Sequence, residues 1–176
     1  MPAHDIATAL QRVASVLERR PEAGVHDDAP ASVRWLGDTR FAASHPNGVE
    51  VQTDMPCELG GAGSAVTPGW LFRAGLASCA ATCIAMLAAR EGVSLRTLDV
   101  RATSRSDTRG VLGMPDANGA TVPAAPQDVQ LQVRLSSDDL APERLRDLVQ
   151  RACRRSPVPC AVQTAIELDL RIVASD

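Results

Sequence analysis

The chain contains no lysine and no tyrosine; all 18 of its basic residues are arginine. Three chemistries are thereby closed to its own side chains. These are Schiff-base formation on lysine, phosphate capture by a P-loop lysine, and acid–base catalysis by a phenol. A basic excess is also missing. The net charge is −3, so the whole molecule lacks the electrostatic footprint of a nucleic-acid binder. No apolar run approaches the roughly 18 residues that suggest a membrane span. The start, Met1-Pro-Ala-His-Asp, lacks the basic and apolar regions of a signal peptide. The expectation is a cytoplasmic protein with neither nucleic acid nor membrane as partner. Histidine is scarce as well. His4, His26 and His45 all fall in the first quarter, at a helix start, a loop and a turn, and each reads as a solvated surface residue.

What is present is apolar residue, 45% of the chain. That is enough to build a core without disulfide staples. The length of 176 residues suits one domain. Five cysteines occur: Cys57, Cys79, Cys83, Cys153 and Cys160. An odd number, with no export signal, argues against a disulfide framework. Reduced thiols are expected.

Periodicity divides the chain. Ile6, Leu10, Val13 and Leu17 predict an amphipathic helix over residues 3–19, ended by Pro21. Residues 1–30 therefore read as an N-terminal helix and linker, and residues 31–176 as the main domain. Short strands are expected at 32–36, 40–44 and 49–53, punctuated by Gly37-Asp38 and Asn47-Gly48. The stretch Gly60-Gly61-Ala62-Gly63 lacks the spacing of a dinucleotide loop and reads as a hinge or tight turn. Thr67-Pro68 then opens a long helix to about Arg90, with Thr67 as cap and Pro68 in the first turn. Its interior is apolar nearly all round, so burial on most sides is expected. Alternation predicts strands at 97–105, 128–136 and 166–172. A long Gly/Pro-rich loop (106–126) separates the first two. A helix is expected at 142–154, broken by Pro157 and Pro159 before a helical turn near 160–165. The fold class is α+β: antiparallel sheets packed around a long central helix.

Cys79 and Cys83 share one face of the long helix. A reactive thiolate at Cys79 is one reading. A pair of small hydrophobes in a packed helix is the other. A C-x3-C pair without a nearby histidine does not make a metal set, and no cofactor is expected. A reactive thiol needs a neighbouring cation or a helix N-terminus. Cys79 lies too deep in its helix for the latter, which leaves Arg34, Arg40, Arg105 and Arg109 as candidates.

The run Thr67-Pro68-Gly-Trp-Leu-Phe-Arg-Ala-Gly-Leu-Ala-Ser-Cys79 resembles the cysteine-bearing helix of the OsmC/Ohr family. The preceding Gly-Gly-x-Gly stretch, Ser156-Pro157-Val158 and the order of elements match too, over roughly residues 32–174. Ser106 to Gly113 resembles a feature of a branch that also carries Ser-Pro-Val. The resemblance implies an OsmC-like fold, an intertwined homodimer with active sites at the subunit interface, and a thiol peroxidase acting on organic hydroperoxides. In such a cycle one cysteine attacks the peroxide and becomes a sulfenic acid. A second cysteine resolves it, an external thiol or dithiol restores it, and an arginine and a glutamate support the first thiol. Cys79 falls on the attacking position and Arg40 is the nearest match to the arginine. Gly69 stands in place of the glutamate, and Ser156 in place of the resolving cysteine. Cys153, Cys160 or an external thiol is then left for resolution. The alternative is a divergent binding or stress-response module that keeps the fold without the peroxidase.

Overall fold

Pairing of alternating strands builds two separate antiparallel ladders. The computed structural model describes residues 3–164 and 166–174. Near the start, β1 (Ser32–Gly37), β2 (Arg40–Ser44) and β3 (Glu50–Thr53) form a three-stranded sheet in sequential order. The turns fall where glycine was read: Gly37 and Gly48 both have positive φ, a conformation open to a residue without Cβ. The register sets Val33 opposite Ala43 and Ala43 opposite Val51, and Trp35 opposite Phe41. Directly opposed residues share a face, so one face of this sheet is apolar. It remains open to solvent: Val33 is 64% exposed and Trp35 is 66% exposed.

The second ladder pairs β4 (Leu95–Arg105) with β5 (Gln127–Ser137), matching Leu98 to Leu135 and Val100 to Val133. Its apolar face lies against α2 (Pro68–Arg90) and α4 (Pro142–Cys153). There Ile84, Leu87, Ala88, Val93, Leu148 and Ala152 form the core. Full burial of Ile84 or Leu148 removes a side chain from water at about 1.5–3 kcal/mol each. The amphipathic α1 (Ala3–Arg19) packs on α2. At the far end of α2, Glu91 receives a two-pronged ion pair from Arg151, which also binds Asp147 at 2.8 Å. These arginine bonds hold the Glu91 carboxyl below its ordinary range and clamp α2 to α4.

Several expectations are corrected. Residues 166–172 do not form a strand. A strand persists only where its N–H and C=O groups find partners, and β4 and β5 are paired with each other alone. The alternating side chains Ile166, Leu168, Leu170 and Ile172 therefore stay in solvent, Leu168 at 90% exposure. Pro157 does not break a helix but opens α5 (Pro157–Gln163), because a first-turn residue has no intrahelical N–H bond to lose. Loop 106–126 holds a single helical turn, α3 (Thr108–Val111), with the Asp107 side chain accepting from the Arg109 N–H. Finally, α2 is long and apolar enough, by length and composition, to cross a membrane. Its inner face is nevertheless the core of the domain, while Trp70, Phe72 and Met86 on other faces are exposed. Burial on most sides is thus not reached within one protomer.

Candidate active site

The start of α2 is fixed locally. The Thr67 hydroxyl accepts from the Trp70 N–H at 3.2 Å, and Pro68 supplies a preset φ. Twelve residues into that helix, Cys79 sits half-buried. The chain leaving α4 comes back across it. Ser156 is completely buried, and its Oγ donates to Cys79 Sγ at 3.1 Å. Ser156 occupies the cap position of α5, yet its side chain caps nothing there. The hydroxyl is spent on the sulfur instead.

The other thiols point elsewhere. Cys160 Sγ lies 3.4 Å from the Arg154 carbonyl, to which it donates. Cys153 packs against the α2–α4 core, as does Cys83. Burial, and secondarily Cys83, pushes the Cys153 thiol up. Cys57 is exposed. Among the described residues, neither Cys153 nor Cys160 is hydrogen-bonded to Cys79, whereas Ser156 is.

The four arginine candidates are also placed. Arg34 lies 3.7 Å from Glu50, Arg105 3.7 Å from Asp128, and Arg109 is bound to Asp107 at 2.6 Å. Arg40 stands at the start of β2, beside a cavity walled by Asp38, Asp54 and Gly60 to Ala62. Among the described residues no hydrogen bond joins any of them to Cys79. His45 accepts from the Asn47 N–H within the β2–β3 turn, and His26 faces Asp28. The side chain of His4 lies outside the described residues.

Asp54 was not singled out in the sequence and proves central to the local build. Its carboxylate is buried and accepts five hydrogen bonds. The donors are the Thr39 hydroxyl, the N–H groups of Met55, Ala62 and Ser64, and the Ser64 hydroxyl. Led by the Ser64 backbone, these hold the carboxyl far below its ordinary range, against the opposing effect of burial. The Gly60 to Gly63 stretch is the wrap around this anion, a tight turn as read. A Cβ on Gly61 would overlap the Met55 carbonyl. The available signal was an aspartate leaving a strand just before a Gly/Ser-rich segment, where such side chains bind nearby backbone.

Beside the first turn of α2 lies a cavity of about 430 Å³, walled by Leu59, Pro68, Gly69, Phe72, Arg73 and Val111 among others. Arg73 donates from Nη1 to Ser104 at 3.4 Å. At Gly69 an added Cβ would meet nothing nearer than Arg73 Nη1 at 3.7 Å. The space for a side chain is present, and the carboxylate is not.

A buried residue of the Ser-Pro-Val segment against the cysteine of a Thr-Pro-initiated helix is the arrangement that the sequence resemblance implied. A family model described as OsmC-like protein matches residues 61–171. The chain belongs to the OsmC-like family. Solved structures of similar fold include an OsmC-like protein from Mycoplasma pneumoniae, with a TM-score of 0.65 and 13% identity, covering 80% of this chain and 91% of that one. An organic hydroperoxide resistance protein from Legionella pneumophila gives 0.57 at 21% identity, covering 79% and 91%. One from Elizabethkingia anophelis gives 0.57 at 19%, covering 81% and 93%. At these identities the likeness carries the fold. None of the curated proteins matches. For this OsmC-like chain, the α+β class with antiparallel sheets and a long helix holds as read.

Proposed function

We propose that this OsmC-like chain is a cysteine-dependent peroxidase that reduces organic hydroperoxides, with Cys79 as the attacking thiol. The observation that carries the reading is the buried Ser156 hydroxyl donating to Cys79 Sγ at 3.1 Å. The thiolate attacks the terminal peroxide oxygen, the O–O bond breaks, and the alkoxide leaves as alcohol after taking a proton. Cys79 becomes a sulfenic acid. Ser156 has no thiol with which to displace that hydroxide. Cys160 is turned toward Arg154 and Cys153 into the core. An external thiol therefore forms a mixed disulfide with Cys79 and releases water. A second external thiol then frees Cys79 and leaves as the oxidised reductant.

The working unit in this proposal is a homodimer. Val33, Trp35 and Val51 on the small sheet, Trp70 and Phe72 on α2, and Ile166 to Val173 leave far more apolar surface open than a monomer normally tolerates. With no bond from Arg40 to Cys79 inside one protomer, an activating Arg40 would be delivered from the second copy. A reducing, cytoplasmic setting suits five unpaired cysteines.

Stopped-flow oxidation by an organic hydroperoxide and by hydrogen peroxide tests the reading. Fast oxidation of the wild type that is lost in Cys79→Ser is expected. Equal rates in the two proteins would remove Cys79 from the chemistry. The open space at Gly69 favours a second reading, a binding module without turnover that uses the cavity beside Pro68 and Phe72. A small molecule retained through purification, with no peroxide turnover, would decide for it.

A further inference from the structure

Cys83 and Cys153 take no part in the cycle proposed for Cys79, yet the fold sets them in one place. Two contacts fix how α2 and α4 lie. Ser156, just past the end of α4, meets Cys79 midway along α2, and Asp139, just before α4, accepts from the Ser94 N–H just past the end of α2. The two helices therefore run in opposite directions. From the Cys79–Ser156 contact, Cys83 lies one turn onward along α2. Cys153 lies about one turn back along α4. Both thiols pack against the same cluster of Ile84, Leu87, Ala88, Leu148 and Ala152.

Their surroundings differ. Cys83 lines a cavity of about 280 Å³ between α1, α2 and α4, and Cys153 is not among its walls. The walls are mostly apolar, from Leu10, Val13, Leu17 and Met86, with Arg90 and Arg155 at hand. Neither arginine makes an ion pair among the described residues. The site thus offers one thiol on the cavity wall, a second half-buried thiol off that wall and two cations suited to carboxylate.

We propose that Cys83 and Cys153 form a second redox dithiol, which a small anionic disulfide entering this cavity closes to a disulfide. The Cys83 thiolate attacks one sulfur of the reagent, its S–S bond breaks, and one thiol departs with a proton. Cys153 then attacks the Cys83 sulfur and expels the second thiol. Two protein thiols are oxidised, one disulfide is reduced to two thiols, and α2 becomes covalently tied to α4. Cys153, off the cavity wall and with a thiol that burial pushes up, acts second, when the reaction is intramolecular.

The test uses Cys79→Ser protein, so its outcome is independent of any peroxidase activity. Dithiodipropionate is the anionic probe, and hydroxyethyl disulfide the neutral probe of similar size. After oxidation and trypsin digestion, peptide 74–90, whose remaining thiol is Cys83, should be linked to peptide 152–154, which carries Cys153. The intact mass should fall by about 2 Da, and the anionic probe should react faster. Cys153→Ser in the same background should instead stop at a mixed disulfide on Cys83. Wild-type protein mapped by fragment ions that separate Cys79 from Cys83 gives the same answer should a variant fold poorly. Peptides 74–90 and 152–154 found unlinked, or joined to the Cys57 or Cys160 peptides, would overturn the pairing. Equal rates with the two probes would overturn the role of the arginines.

Discussion

Returning a thiol to position 156 gives the sharpest test of the site. Ser156 Oγ lies 3.1 Å from Cys79 Sγ across 77 residues of chain. In Ser156→Cys the sulfurs must approach to about 2.05 Å. A thiol also reaches further than a hydroxyl, because its bond to carbon is longer. The remaining movement is about 1 Å or less, and half-buried Cys79 has room to make it. Closing a loop of this length restrains the unfolded chain by about 4.5 kcal/mol in the chain-entropy estimate. The variant would be made with Cys83→Ser and Cys160→Ser, so that peptide 74–90 and peptide 156–171 each carry one relevant thiol. Urea unfolding of oxidised against reduced protein reads the difference. A linked species stabilised by several kcal/mol is expected. Absence of the link under mild oxidation, or a linked protein less stable than its reduced form, would show that Cys79 and residue 156 do not meet as described.

Three further outcomes follow from the same geometry. Ser156→Ala removes a donor worth about 1 kcal/mol, so alkylation of Cys79 by iodoacetamide should slow roughly fivefold with the fold unchanged by circular dichroism. Asp54 has a folded-state value below its unfolded one, so its contribution to stability is complete above about pH 4 and is lost as pH falls below that. Asp54→Asn should accordingly lower the melting temperature near neutrality and flatten its decline as pH falls below about 4; parallel melting curves for the two proteins would refute the anchor. Leu148→Ala, at a fully buried core position, should cost about 2–5 kcal/mol in urea unfolding, and a change under about 1 kcal/mol would mean that α4 is not packed on α2 as described.

The candidate site was legible in the sequence to an uneven degree. Cys79 stood out through the Thr67-Pro68 start and the length of helix after it, and Ser156 through its Pro157-Val158 neighbours. That these two meet was implied by the resemblance alone; no spacing along the chain shows it, since 77 residues separate them. Asp54 escaped notice because an isolated aspartate gains meaning only from donors that the folded loop brings to it. Among the arginines, Arg34, Arg105 and Arg109 each have a local carboxylate, and a charge pattern along the chain does not tell which ion pair forms.

Local physics determined the elements. The cap at Thr67, proline in first turns, glycine at positive φ and the period of apolar residues act within a few residues, and they put α1, α2, α4 and β1 to β5 within a residue or two of where they lie. They also put a strand at residues 166–172, and there the reading failed. Alternation is a property of the segment, whereas pairing is a property of its neighbours, and residues 166–172 are paired with no edge of either sheet. Only the tertiary structure decided that Ser156 turns its hydroxyl from capping α5 to Cys79, that Cys83 and Cys153 share the α2–α4 junction, and that the apolar face of the small sheet is left open. Each depends on where distant segments come to rest.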